Sequence, residues 1–146
     1  MNTSTRINVL NTYSIPHNEG KIDLHKWADN YHTTIDEDRL RIGNDVIASY
    51  SPGYGSGWST WNDFNAADPI INLTVLTLKE ARADSQDMET LYRAIRENFP
   101  QYSEYISPCD PVNDIKIVLI DKDSRFRVVH NDGHENIEYK DTIEWL

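Results

Sequence analysis

Gly53, Gly55 and Gly57 alternate with Tyr54 and Ser56 and run straight into Trp58-Ser59-Thr60-Trp61-Asn62. Alternate glycines let backbone N–H groups turn towards one point with no Cβ in the way, which is an anion-binding arrangement. Tyr54, Trp58 and Trp61 offer flat apolar faces with a polar edge, suited to stacking on a ring. Ser56, Ser59, Thr60 and Asn62 add short hydrogen-bonding groups. Together they fit a small ligand with a ring and an anionic part. The stretch has neither the Gly-Lys-Ser/Thr ending of a P-loop nor the Gly-x-Gly-x-x-Gly of a dinucleotide fold. A packed, aromatic-rich turn is the plainer reading of the same residues, and both stand at this stage.

Complementary charge comes from Arg125 and Arg127, which share one face of a strand while Phe126 takes the other. Two neighbouring guanidinium groups can clamp a phosphate; the alternative is pairing with Asp121, Asp123 or Glu138. The other reactive residue types lead nowhere. His32-Thr33-Thr34 resembles one half of the His-x-Thr signature of two-histidine phosphoesterases, but no second half follows, so phosphodiester cleavage by His32 stays an alternative only. His130 and His134, with Asp132 and Glu135 nearby, hint at a metal, yet spacing of this kind at a hairpin turn does not converge as it does on a helix. Cys109 is the sole cysteine and has Asp110 beside it, a poor setting for a thiolate. The expectation is no catalytic residue, no metal and no cofactor.

With 146 residues the chain suits one domain with a real core. Its net charge of −10 disfavours direct binding to nucleic acid, and no apolar run is long enough to span a membrane. Met1–Ile7 reads without a basic start and apolar follow-on, and a lone cysteine suits a reducing compartment, so a cytoplasmic protein is expected.

The elements that must position these residues read as a single α+β domain over 1–146, mostly antiparallel sheet with two to three helices. Residues 1–5 read as frayed, Arg6–Leu10 as a strand by alternation, and Ile15–Gly20 as a turn-rich connection. Asp23–Tyr31 predicts two helical turns with Leu24, Trp27, Ala28 and Tyr31 on one face. Arg39–Ile42 and Asp45–Ser49 read as a strand pair around Gly43-Asn44, or as one bent strand. For 69–83, the Asp68-Pro69 start predicts a helix against β-branched residues that favour a strand. Ser85 caps a helix with Met88, Leu91, Tyr92, Ile95 and Phe99 on its apolar side, ended by Pro100. Asp114–Asp121 reads as a strand covered on both faces, and Asn131-Asp132-Gly133-His134 as the turn of a final hairpin. The end, Thr142–Leu146, is apolar enough to dock.

Two motifs, Gly53–Asn62 and Phe126–Glu135, resemble those of a group of small phage-encoded proteins, in the same order along the chain. That group is similar to the Thoeris anti-defence family of nucleotide sponges, oligomeric proteins that bind cyclic ADP-ribose-type immune signals without cleaving them. The resemblance implies a homo-oligomer whose glycine stretch and Arg127 belong to a ligand pocket. The family's strand often carries an acidic residue two positions after the arginine, where this chain has Val129, so the ligand itself stays open. The other partner considered is a host defence effector or nuclease, held by an acidic, aromatic-bearing surface.

Overall fold

Asp68 starts the helix on which the core is built, its Oδ1 accepting from the N–H of Ile71 at 3.0 Å with Pro69 in the first turn. In this computed structural model, which describes residues 3–50, 66–81, 85–102, 115–121, 126–131 and 134–139, the helix is α3, Pro69–Ala81. Its β-branched residues favour strand locally, but they become helical because nearly every side is covered: Ile70, Ile71, Leu73, Val75 and Leu78 are all buried. The buried hydroxyls of Thr74 and Thr77 donate to the carbonyls of Ile70 and Leu73, so no polar cost is left in them.

Around α3 stand α1 (Thr3–Thr12), α2 (Leu24–Asp29) and α4 (Ser85–Asn98), followed by a short 3-10 turn at Pro100–Tyr102. The α+β class holds, with four α-helices among the described residues where two to three were expected. The α4 reading is accurate: Leu91, Tyr92 and Ile95 are buried and Phe99 packs against the same core. α2 also lies where its face predicts, with Asp23 accepting from the Lys26 N–H at its start. α1 overturns the strand expected at Arg6–Leu10. Val9 and Leu10 are both buried; adjacent strand residues would face opposite ways, whereas a helix docked on α4 can seat both. The ion pair between Arg6 and Glu97 at 3.1 Å fastens that docking.

The strands are β1 (His17–Asn18), β2 (Lys21–Ile22), β3 (Thr34–Asp36), β4 (Arg39–Ile42), β5 (Asp45–Tyr50), β6 (Lys116–Asp121), β7 (Phe126–Asn131) and β8 (His134–Tyr139). β1 and β2 form a small hairpin that begins in the expected turn-rich connection, Ile15–Gly20, and runs two residues past it. Its two-residue turn has φ of 52° at Glu19 and 88° at Gly20, and a Cβ on Gly20 would lie 2.7 Å from Arg6 Nε. The main sheet runs β3-β4-β5-β6, antiparallel throughout, and Gly43-Asn44 turns a true hairpin rather than bending one strand.

One face of this sheet, through Ile35, Leu40, Ile47 and Ile117, joins the helical core. The other face, through Ala48, Val118 and Ile120, is covered by Phe126, Val128 and Ile137 of the β7–β8 hairpin. β5 is therefore the strand covered on both sides, with Val46, Ile47, Ala48 and Ser49 all buried. The double cover expected for β6 fails: Ile120 is buried but Leu119 is 56% exposed. β6 is the terminal strand among the described residues, while α3 packs across β4 and β5.

Candidate functional site

Gly53, Tyr54, Gly55, Gly57, Trp58, Trp61 and Arg125 lie outside the described residues, as do Cys109 and the apolar end Thr142–Leu146. The flanks of the glycine stretch are described, and they meet. β5 delivers the chain to Tyr50, and the chain returns at Ala66-Ala67 between β4 and β5, where those two strands part. The Ser49 N–H donates to the Ala66 carbonyl and the Leu40 N–H to the Ala67 carbonyl, each at 3.0 Å. Fully buried Asn72 of α3 adds a second tie, its Nδ2 donating to Ala66 O at 2.9 Å and Asp68 O at 2.8 Å. The chain on the two sides of residues 51–65 thus meets at one rung of β5.

Arg127 is exposed on β7, and the register sets it opposite Glu138. The hairpin is brought to the foot of the glycine stretch, because Ala66 shares an apolar cluster with Phe126, Val128 and Ile137. Arg127 alternates with Phe126 and Val128, so its guanidinium belongs to the hairpin's outer face rather than to that foot. His130 pairs with Glu135 and His134 with Asn131, placing the histidines on successive rungs. Among the described residues no three His, Cys, Asp or Glu side chains gather as a metal site.

His32 has a local structural task. The chain leaves α2 through a Schellman turn: Thr33 N–H donates to Ala28 O at 3.1 Å, His32 N–H to Asp29 O at 3.0 Å, and His32 has φ of 57°. A left-handed backbone costs an L-residue about 1–2 kcal/mol, part of which glycine would regain. The imidazole is exposed, as is Thr34, the threonine of the His-x-Thr match, while Thr33 between them is buried with its hydroxyl donating to Ala28 O at 2.8 Å. His32→Gly should therefore leave stability unchanged or raise it by up to about 1 kcal/mol in chemical denaturation. A clear loss of stability would show that the imidazole makes a contact the fold needs.

A cleft of about 520 Å³ lies where the C-terminal ends of α1 and α2 meet α3, lined by Thr12, Tyr13, Ser14, Asn30, Tyr31, Thr77 and Glu80. The reading from sequence placed Tyr31 on the core face of α2 and missed this role. The Tyr31 hydroxyl donates to Thr77 Oγ1 at 3.0 Å, and Glu80 sits beside it. Burial raises the phenol's pKa most and the neighbouring Glu80 adds to it, leaving it pushed up to about 12. No local signal joins Tyr31 to Glu80, because only tertiary packing brings α2 against α3.

A scan against protein-family models, a search of curated proteins and a search of solved structures each return no match for this chain.

Proposed function

We propose that the chain is a non-enzymatic, cytoplasmic counter-defence protein of phage type, which as a homo-oligomer binds and sequesters a nucleotide-derived signal of the cyclic ADP-ribose kind. The observation that carries this reading is the closure of the glycine stretch on one rung: Ser49 and Ala66 hold its two ends together at 3.0 Å. A composition suited to a ringed anion is thereby mounted on the doubly covered strand β5, so little conformational freedom at its base is lost when a ligand binds. Gly53, Gly55 and Gly57 offer backbone N–H groups to a phosphate, and Tyr54, Trp58 or Trp61 stack on a base. Stacking of this kind is worth about 1–3 kcal/mol per base in single-strand binders. Arg127, with Arg125, supplies the countercharge, which on this reading reaches the ligand from the outer face of the hairpin.

The test is a panel of linear and cyclic nucleotides added to the purified protein. Cyclic ADP-ribose-type ligands should raise the melting temperature, quench tryptophan fluorescence and be recovered intact after heat denaturation. Arg127→Glu should abolish the fluorescence change while leaving the far-UV spectrum intact, since Arg127 is exposed. A panel without any thermal shift ends this reading, and a cleaved ligand would favour the phosphodiesterase alternative.

A second reading has its own observation. Leu119, 56% exposed on the terminal strand β6, is a large apolar side chain left in solvent on a chain of net charge −10. That combination supports an acidic inhibitor that docks on a host effector or nuclease, and Leu119→Lys would then weaken the complex in a pull-down with that effector.

A further inference from the structure

The cleft between α1, α2 and α3 is chemically one-sided. Glu80 is the only charged residue among its seven described lining residues, none of which is Lys, Arg or His. Thr12, Tyr13 and Ser14 bring the C-terminal end of the ten-residue helix α1, which carries the negative pole of its dipole, to the cleft wall. Tyr13 and Tyr31 are half-buried and add aromatic surface. A carboxylate, a helix C-terminus and aromatic rings all favour positive charge. Among the described lining residues, an anion would meet Glu80 and the dipole with no cation to offset them.

Size and donor count narrow the class. At about 520 Å³ the cleft falls within the ordinary range for small organic ligands. One carboxylate among hydroxyls and an amide is too sparse for a divalent metal, which takes about six oxygen ligands. The Tyr31 hydroxyl is already engaged by Thr77, and that bond holds the ring in place before any ligand arrives. The phenol's raised pKa, caused first by burial and in part by Glu80, fits a site that tolerates cations better than a second negative charge.

We propose that this cleft binds a small organic ammonium ion, its cationic head between the Glu80 carboxylate and the rings of Tyr13 and Tyr31. The site shares no residue with the glycine stretch or with Arg127, so it stands or falls independently of nucleotide binding.

Choline titrated into the full-length protein, followed by isothermal calorimetry and by tyrosine-ring NMR shifts, tests the assignment. Saturable binding is expected, about tenfold or more tighter than for dimethylbutanol, the neutral carbon isostere of the same shape. Glu80→Gln should weaken choline binding by a similar factor and leave the neutral isostere unchanged. Glu80 is exposed, so the unfolding midpoint of this variant should match the parent. The proposal is overturned if choline shows no saturable binding, if the isostere binds as well, or if Glu80→Gln leaves choline affinity within twofold. Should Glu80→Gln fold poorly, the choline-to-isostere comparison on the unaltered protein still decides.

Discussion

Trp27→Ala destabilises the protein by about 3–5 kcal/mol, a large share of the roughly 5–15 kcal/mol that holds a typical domain together. Trp27 is 1% exposed, and truncating it leaves a cavity between α2 and α3 that packed neighbours cannot close. It also removes a hydrogen bond on which two elements converge. Thr77 Oγ1 accepts from Trp27 Nε1 and from the Tyr31 hydroxyl, each at 3.0 Å, and donates to Leu73 O at 2.8 Å. One hydroxyl is thereby fully used, and it fastens α2 to α3. Thr77→Val keeps the shape but strands the buried indole N–H, at an expected cost of about 1–3 kcal/mol. Trp27→Phe removes the same bond from its other end. Urea denaturation of both single variants and the double should give a double-variant loss smaller than the sum, because the stranded donor disappears with the indole. Strict additivity would show that the hydrogen bond contributes nothing of its own.

Asn72→Ala should cost about 2–3 kcal/mol, from two lost hydrogen bonds and an unfilled space in a fully buried position. Its larger consequence concerns the glycine stretch. Asn72 Nδ2 holds the Ala66 carbonyl, which also receives the Ser49 N–H, so the returning end of residues 51–65 is tied both to α3 and to β5. Under the sequestration reading, Asn72→Ala lowers nucleotide affinity by tenfold or more without touching the ligand, because the site loses its fixed base. Asn72→Asp should be at least as damaging. It is nearly isosteric, but it sets carboxylate oxygens against the carbonyls of Ala66 and Asp68 where amide donors stood. Equal nucleotide affinity in folded Asn72→Ala would remove the foot of the stretch from any part in binding.

The two expectations illustrate how differently the parts of this molecule could be read. Asp68 announced its helix because a cap is satisfied by an N–H three residues away, and the apolar face of Asp23–Tyr31 announced α2, which Asp23 caps in the same way. Gly43-Asn44 marked a change of direction but left hairpin and bend both open, and the pairing of β4 with β5 decided for the hairpin, with φ of 58° at Gly43. The β7–β8 register around Asp132-Gly133 likewise follows from turn chemistry and alternation. In α3 the capping signal outweighed the β-branched residues because burial on nearly every side favoured the helix that the cap began.

Arg6–Leu10 had no such local arbiter. Its alternation suits a strand, and only docking on α4, marked by an ion pair 91 positions along the chain, makes it helical. The exposure of Leu119 depended on the order of strands in the sheet, which four apolar residues in a row do not encode. The cleft was invisible for a related reason, since Tyr31 and Glu80 meet only after α2 and α3 pack.

For the candidate site, residue type alone determined what the glycine stretch could do: glycine backbones for an anion, indoles for a ring. Tertiary structure decided where it is anchored. Hydrogen bonds from Ser49 and Asn72 close its returning end on β5, and the core that buries both residues is assembled from the whole chain. Chemistry is a property of side chains and is written residue by residue; placement is a sum of distant contacts, and it exists only once the fold has formed.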